Sequence, residues 1–285
     1  MANILVIGGA GFVGTNLCKY LLNDPKNMIY VLDNYFTGSE ANHIKSSRIH
    51  YTYGMAQDIR YLFVPGVFNF DYIYHFGEYS RVEQSYYDLD AVMFLNLQLH
   101  KVLEYCIETG AKLIYSGSST KFSSEGSSLS PYAWTKCINT DLIQKYNEWF
   151  GIDYAIVYFY NVYGPHEIEE GKYATLIGRY KRLQKEGKPL KVTLPGTQVR
   201  NFTHIEDTVR ALELVAKHGH GDGYGIGSPT AYSVETVAHA FSDNVEYVES
   251  PRGNRMSAEV VSDKTRALGW EPEHDLLEYI ERIKV

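Results

Sequence analysis

Ile4-Leu5-Val6-Ile7-Gly8-Gly9-Ala10-Gly11-Phe12-Val13-Gly14 is the stretch on which the fold turns. An apolar run passes into glycines spaced G-x-x-G-x-x-G (Gly8, Gly11, Gly14) and then into an amphipathic run, which reads as strand, tight turn and helix. Such a turn leaves backbone N–H groups around Phe12 and Val13, together with the positive end of the helix, free to hold a pyrophosphate. The next β-branched run ends at Asp33, about 20 residues on, where a carboxylate can accept both hydroxyls of an adenosine ribose. Asn34, Tyr35, Phe36 and Thr37 follow, none of them basic, so a 2′-phosphate would find no counter-charge and NAD is expected rather than NADP.

Outward from this stretch the same rhythm repeats. Strands are expected at Ile4–Ile7, Ile29–Leu32, Ile49–Tyr53, Tyr72–His75, Lys112–Tyr115 and Tyr154–Phe159, with helices near 11–23, 88–108 and 132–150. Alternating βαβ units predict an α/β protein with a Rossmann-type, doubly wound parallel sheet. After Asn161, Gly and Pro break the pattern into a helix near 173–187, a strand near 190–193 and a last helix near 275–283. We therefore expect an NAD-binding domain over 1–160, rejoined by the chain at about 202–217, and a smaller, mixed α/β, substrate-binding lobe over 161–285. Residues 123–130 read as a serine-rich, mobile loop.

A chain of 285 residues, 45% of them hydrophobic, can bury a large core. Its net charge of −7 has no concentrated basic segment set against it, which argues against nucleic-acid binding. Cys18, Cys106 and Cys137 are odd in number and widely spaced, so neither a disulfide framework nor a metal site is expected. No segment approaches the roughly 18 apolar residues of a membrane span, and the expectation is a soluble, cytoplasmic protein. The 25 tyrosines suit pockets and contacts without placing any one of them.

Tyr132 and Lys136 stand i, i+4 at the start of an expected helix, on one face, where an ammonium favours the ionised form of a phenol and makes it a base. Ser116, Ser118, Ser119 and Thr120 follow the fifth strand at the carboxyl edge of the sheet, where α/β folds place ligands and where a hydroxyl can hold a reacting oxygen.

Taken together these residues resemble the extended short-chain dehydrogenase/reductases, in particular the nucleotide-sugar epimerases and dehydratases, across nearly the whole chain. The glycine loop, Asp33, Asp58-Ile59, His75-Phe76-Gly77, Asn96, the strand-end serines, Tyr132-x-x-x-Lys136, Tyr160-Asn161-Val162-Tyr163-Gly164-Pro165 and Arg200-Asn201-Phe202-Thr203-His204 appear in the family's order. The resemblance implies catalytic Tyr132, Lys136, Ser118 and Thr120. It implies that Asp58 and Ile59 meet adenine, that Phe76, Gly77, Asn34, Ser116 and Phe159 line the cofactor, and that Asn96 supports it near the pyrophosphate. Asn161, Arg200 and Arg252 would contact the diphosphate of a nucleotide sugar, two guanidinium forks offsetting its charge without a basic surface.

The implied reaction begins with oxidation of a sugar hydroxyl, most often at C4. Return of the hydrogen to the opposite face gives an epimer, elimination gives a dehydratase product, and release of the keto sugar gives a dehydrogenase. The family's 4,6-dehydratases carry an acidic pair after the strand-end hydroxyl; here the run is Ser118-Ser119-Thr120-Lys121. Reductases of the fucose-synthase type use NADP and a positioned cysteine, and Ser116 to Phe122 contains none. A 4-epimerase is thus expected first, a 4-dehydrogenase second, and a non-catalytic NAD sensor third.

Gly77-Glu78-Tyr79-Ser80-Arg81 stands where many relatives have small residues. Glu78 reads either as an extra acid/base or sugar ligand, or as an ion pair with a neighbour such as Arg81. Arg81 and His166 are further substrate candidates. Val92, Leu95, Leu99, Val102 and Leu103 exceed what one sheet face needs, so a homodimer through these helices is expected.

Overall fold

The computed structural model describes residues 2–119, 130–249 and 260–284. Six strands lie where the sequence places them: β1 (Asn3–Ile7), β2 (Met28–Asp33), β3 (Ile49–Tyr53), β4 (Tyr72–His75), β5 (Lys112–Ser118) and β6 (Tyr154–Phe159). A seventh, β7 (Gly221–Ile226), pairs in parallel with β6, and the order across the sheet is β7-β6-β5-β4-β1-β2-β3. The order reverses between β1 and β4, which opens a crevice at their carboxyl ends.

β7 has no apolar run to announce it. Gly225 answers a packing demand instead: a Cβ there would lie 1.8 Å from the Val261 carbonyl oxygen, so the segment 260–262 can cross this strand only against glycine.

Both faces of the sheet are covered. Helices α1 (Phe12–Leu21) and α6 (Ile205–His218) bury Leu17, Cys18, Leu21, Val209, Leu212 and Val215 against Ile4, Val6, Ile29, Val31 and Val157. On the other side, α3 (Leu99–Thr109) and α4 (Pro131–Phe150) bury Leu99, Val102, Leu103, Cys106 and Ile143 against Leu5, Ile7, Leu113, Tyr115 and Ile156. The α4 helix starts sharply because Ser130 accepts the Ala133 N–H at 3.1 Å and Pro131 supplies a helical φ without a needed donor. It stops at Gly151, whose φ of 71° is left-handed.

The helix expected over 88–108 is two helices, α2 (Leu89–Asn96) and α3. The break has a cause 43 residues away: the Asn96 carbonyl oxygen, which would continue the ladder, accepts Asn139 Nδ2 at 2.6 Å. The apolar stripe on these helices is also consumed within the chain. Val92, Leu95, Leu99, Val102 and Leu103 are all 8% exposed or less, so they offer nothing to a second copy, and the sequence argument for a dimer falls. Several tyrosines prove to be core residues that find a polar partner for the hydroxyl, such as Tyr105 on the Phe68 carbonyl and Tyr180 on the Lys191 carbonyl.

The lobe is built from α5 (Leu176–Lys185), α7 (Val234–Phe241), α8 (Leu276–Ile283) and the parallel pair Leu190–Thr193 with Val245–Val248, around Tyr163, Ile177, Tyr180, Val192, Val237 and Ile280. Asn161 turns the chain out of the sheet with a φ of 39°, a conformation Asn tolerates better than most residues. Among the described residues no helix is long and apolar enough to cross a membrane.

Candidate active site

A cleft of about 600 Å³ runs along the carboxyl ends of β1, β2, β4, β5 and β6 and under the lobe. Gly8, Gly11, Phe12, Val13, Gly14, Asp33 and Asn34 line one end, Phe76, Gly77, Ser116, Ser118, Tyr132, Lys136 and Phe159 its middle, and Asn161, Arg179 and Arg200 the other.

The first end is built on close backbone approaches. A Cβ on Gly14 would lie 2.2 Å from the Gly8 carbonyl oxygen, and one on Gly8 would lie 2.7 Å from the Gly77 nitrogen. These glycines let the turn close onto the β4 loop and leave the start of α1 open to the cleft. Asp33 accepts the Ala10 N–H and the Tyr35 N–H, each at 2.8 Å, one on each oxygen. Each oxygen keeps a lone pair for a ribose hydroxyl. Burial raises the Asp33 pKa above the usual carboxylate range, against the pull of the Tyr35 and Ala10 N–H groups. A dinucleotide therefore fits: a turn that only glycine at 8 and 14 lets close, a helix N-terminus left open to the cleft, and a carboxylate one strand away.

Asp58 and Ile59, expected at adenine, lie in the turn that borders this end. The Ile59 side chain is buried, and the Asp58 carboxylate accepts the Met55 N–H at 3.2 Å, closing its own turn. The crevice beside Asp33 and Asn34 is lined instead by Met55, Ala56 and Gln57. Asn96 is likewise fully buried: it accepts the Tyr79 N–H at 2.7 Å and donates to Thr135 Oγ1 at 2.9 Å. It fixes the loop after β4 to α4 rather than opening on the cleft.

At the centre, Tyr132 sits on the first turn of α4 and Lys136 one turn later, both lining the cleft with Ser116 and Ser118 from the end of β5. Lys136 Nζ donates to the Ser116 carbonyl at 2.7 Å and lies 2.5 Å from Glu78 Oε2. Glu78 does not pair with Arg81. Its carboxylate, 1% exposed, turns inward, where Tyr115 donates to Oε2 at 2.7 Å and Asn139 to Oε1 at 2.9 Å. The ion-pair expectation thus changes partner, from the sequence neighbour Arg81 to an ammonium 58 residues away, while Glu78 itself remains among the residues that line the cleft.

Arg81 donates instead to the Tyr173 carbonyl through Nε at 3.0 Å and Nη2 at 2.5 Å, and it lines the cleft. Burial lowers its pKa, and the nearby Tyr132 and Glu167 oppose that shift. Arg200 donates to the Val199 carbonyl at 2.8 Å and Asn161 to the Asn201 carbonyl at 2.9 Å, with both residues on the cleft wall. His166 is not on that wall: its Nδ1 lies 3.0 Å from Asn42 Oδ1, tying the lobe to the loop after β2. Thr120, Arg252 and the 123–129 part of the serine-rich loop lie outside the described residues.

Sequence reasoning missed Glu167, Arg179, Lys191 and Gln198, all of which line the lobe side. Glu167 accepts the Gly164 N–H at 2.6 Å and the Thr175 hydroxyl, and burial pushes its pKa up to about 7. Its signal was faint, a carboxylate three residues past Gly164 and eight before Thr175.

Two buried histidines give the fold a pH signature. Burial pushes His75 and His204 down to about 4. The folded state keeps them neutral while the unfolded chain takes protons near pH 6.5, so stability falls as pH drops from about 6.5 to about 4 and levels off below. His75, whose ring nitrogens both lack a hydrogen-bond partner among the described residues, contributes on the order of 3 kcal/mol to this slope. In urea titrations at pH 7 and pH 4, His75→Leu should lose less stability than the natural chain by about that amount. Equal losses would remove His75 from the account.

The model of the NAD dependent epimerase/dehydratase family matches residues 4–227. UDP-glucuronic acid decarboxylase 6 of Arabidopsis thaliana is 28% identical over 96% of this chain and 85% of its own. The structure of Epimerase Mth375 from Methanothermobacter thermautotrophicus superposes with a TM-score of 0.90 at 25% identity, covering 99% of this chain and 90% of that one. DesIV, a dTDP-glucose 4,6-dehydratase from Streptomyces venezuelae solved with NAD bound, gives a TM-score of 0.88 at 25% identity over 99% and 95%.

Proposed function

From its membership of the NAD dependent epimerase/dehydratase family, to which this chain belongs, we propose that the protein is a 4-epimerase of a nucleoside-diphosphate sugar. Family and relatives establish NAD-dependent modification of a sugar nucleotide; the reaction at C4 is our reading. The observation that carries it is the convergence of Tyr132, Lys136 and Ser118 on one stretch of cleft, where the run Ser118-Ser119-Thr120-Lys121 offers no acid to drive elimination.

In this reading Gly8, Gly11, Phe12, Val13 and Gly14 hold the pyrophosphate of NAD, Asp33 its adenosine ribose, and Phe76, Gly77 and Phe159 line its other end. A dinucleotide held by these residues would supply the hydride acceptor and donor for the sugar carbon. Tyr132 removes the proton of the C4 hydroxyl, Ser118 donates a hydrogen bond to the same oxygen, and Lys136 favours the phenolate. Asn161, Arg200 and Arg81 hold the diphosphate and sugar, with Arg252 as a further diphosphate contact. From the lobe, α5 contributes Leu176, Ile177 and Arg179 to the cleft wall.

The test is to incubate the purified protein with NAD and UDP-, GDP-, dTDP- and CDP-sugars while following absorbance near 340 nm and NMR of the products. A C4 epimer without net NADH supports the proposal. NADH accumulating with a keto sugar supports a 4-dehydrogenase instead, and silence across the panel with NAD bound supports a sensor.

We also propose a homodimer, now on different residues: Phe94, Ile107, Trp134, Trp149 and Phe150 are exposed on α2, α3 and α4. Light scattering at micromolar concentration should give twice the chain mass of 32.5 kDa, and the single-chain mass would refute it.

A further inference from the structure

We propose that Glu78 is the positioning residue of Lys136, the buried counter-charge that fixes where its ammonium sits at the cleft. The inference rests on reading Tyr132 and Lys136 as the reacting pair.

Lys136 has three N–H donors. One goes to the Ser116 carbonyl at 2.7 Å and one to Glu78 Oε2 at 2.5 Å, with the Ser116 hydroxyl oxygen a longer third contact at 3.5 Å, and all three residues line the cleft. The two side chains are 4% and 1% exposed, so neither charge has water to lean on. A buried ammonium without a counter-charge gives up its proton more readily, and a neutral lysine no longer favours a phenolate.

The surroundings leave this job to Glu78 alone among the described residues. From β4 comes His75, whose Nε2 is 3.6 Å from Glu78 Oε1 and which burial keeps neutral down to about pH 4. From β5 comes Tyr115, held un-ionised by burial and by Glu78, its hydroxyl on Oε2 and its ring 4.8 Å from Lys136 Nζ. From α4 comes Asn139, which donates to Oε1 at 2.9 Å and to the Asn96 carbonyl at 2.6 Å. The pocket thus holds one negative and one positive charge, each matched to the other.

Glu78→Gln should lower kcat about tenfold or more near pH 7 with KM for the sugar nucleotide little changed, and should move the acid limb of the pH profile up by about one unit or more. Glu78→Asp should restore part of both. A thermal-unfolding cycle of Glu78→Gln, Lys136→Met and the double variant needs no substrate. Each single variant should lower the midpoint by on the order of 10 °C, and the double should recover most of that loss.

If Glu78→Gln fails to fold, folding of the double variant supports the pair and its failure to fold overturns it. A kcat within twofold and an unmoved pH profile in Glu78→Gln, or a double variant whose loss equals the sum of the singles, also overturns it. Because the cycle runs without turnover, silence across the substrate panel counts against the epimerase reading and not against the pair.

Discussion

Tyr132→Phe should reduce turnover by about a thousandfold while leaving NAD affinity within about threefold of the natural chain. The substitution removes one oxygen and keeps the ring, so the start of α4, fixed by the Ser130 cap and Pro131, has no reason to move. The proton of the sugar hydroxyl then has no acceptor beside Lys136. Of the other carboxylates on the cleft wall, Glu78 is held by Lys136, Tyr115 and Asn139, and Glu167, pushed up to about 7, is occupied by the Gly164 N–H and the Thr175 hydroxyl. Rates from substrate saturation and affinities from quenching of intrinsic fluorescence decide the matter. Retention of more than about a tenth of the activity would move the base elsewhere, with Glu167 the first residue to substitute next.

Gly14→Ala and Gly11→Ala should separate two jobs of the glycine loop. At Gly14 the new Cβ would sit 2.2 Å from the Gly8 carbonyl oxygen and 2.6 Å from the Gly9 Cα, both backbone atoms that cannot swing away. The turn must open, lowering the unfolding midpoint by on the order of 10 °C and NAD affinity by a hundredfold or more. At Gly11 the nearest atom is the same oxygen at 3.3 Å, and the backbone is not left-handed. Its substitution should leave the midpoint within a few degrees and still weaken NAD, because a methyl group stands where the pyrophosphate approaches the helix start. Unimpaired NAD binding by Gly14→Ala would contradict the placement of the cofactor.

How much of this was legible beforehand depends on whether a cause lies near in the chain. β1, β2, β4, β5 and β6 lie inside the sheet with apolar residues on both faces, β3 at the edge keeps only Ile49 buried, and the loop of Gly8, Gly11 and Gly14 announces itself by spacing alone. β7 escaped because Gly225 answers to Val261, 36 residues later. The split between α2 and α3 escaped because Asn139 takes the Asn96 carbonyl.

Charge partners are the least legible of all. Sequence proximity offers Arg81 to Glu78, whereas the sheet brings Glu78 under Lys136 and sends Arg81 to the Tyr173 carbonyl of the lobe. Residues that line the cleft from the lobe, such as Glu167 and Arg179, carry no local pattern, since their place is set by how α5 sits over the sheet.

The central claim, that oxidation and reduction both occur at C4 of one bound sugar, is tested most directly with a nucleotide sugar deuterated at C4. The account predicts a C4 epimer that keeps its deuterium, with no NADH left in solution. A keto sugar that has lost the label, accompanied by labelled NADH in equal amount, would contradict it.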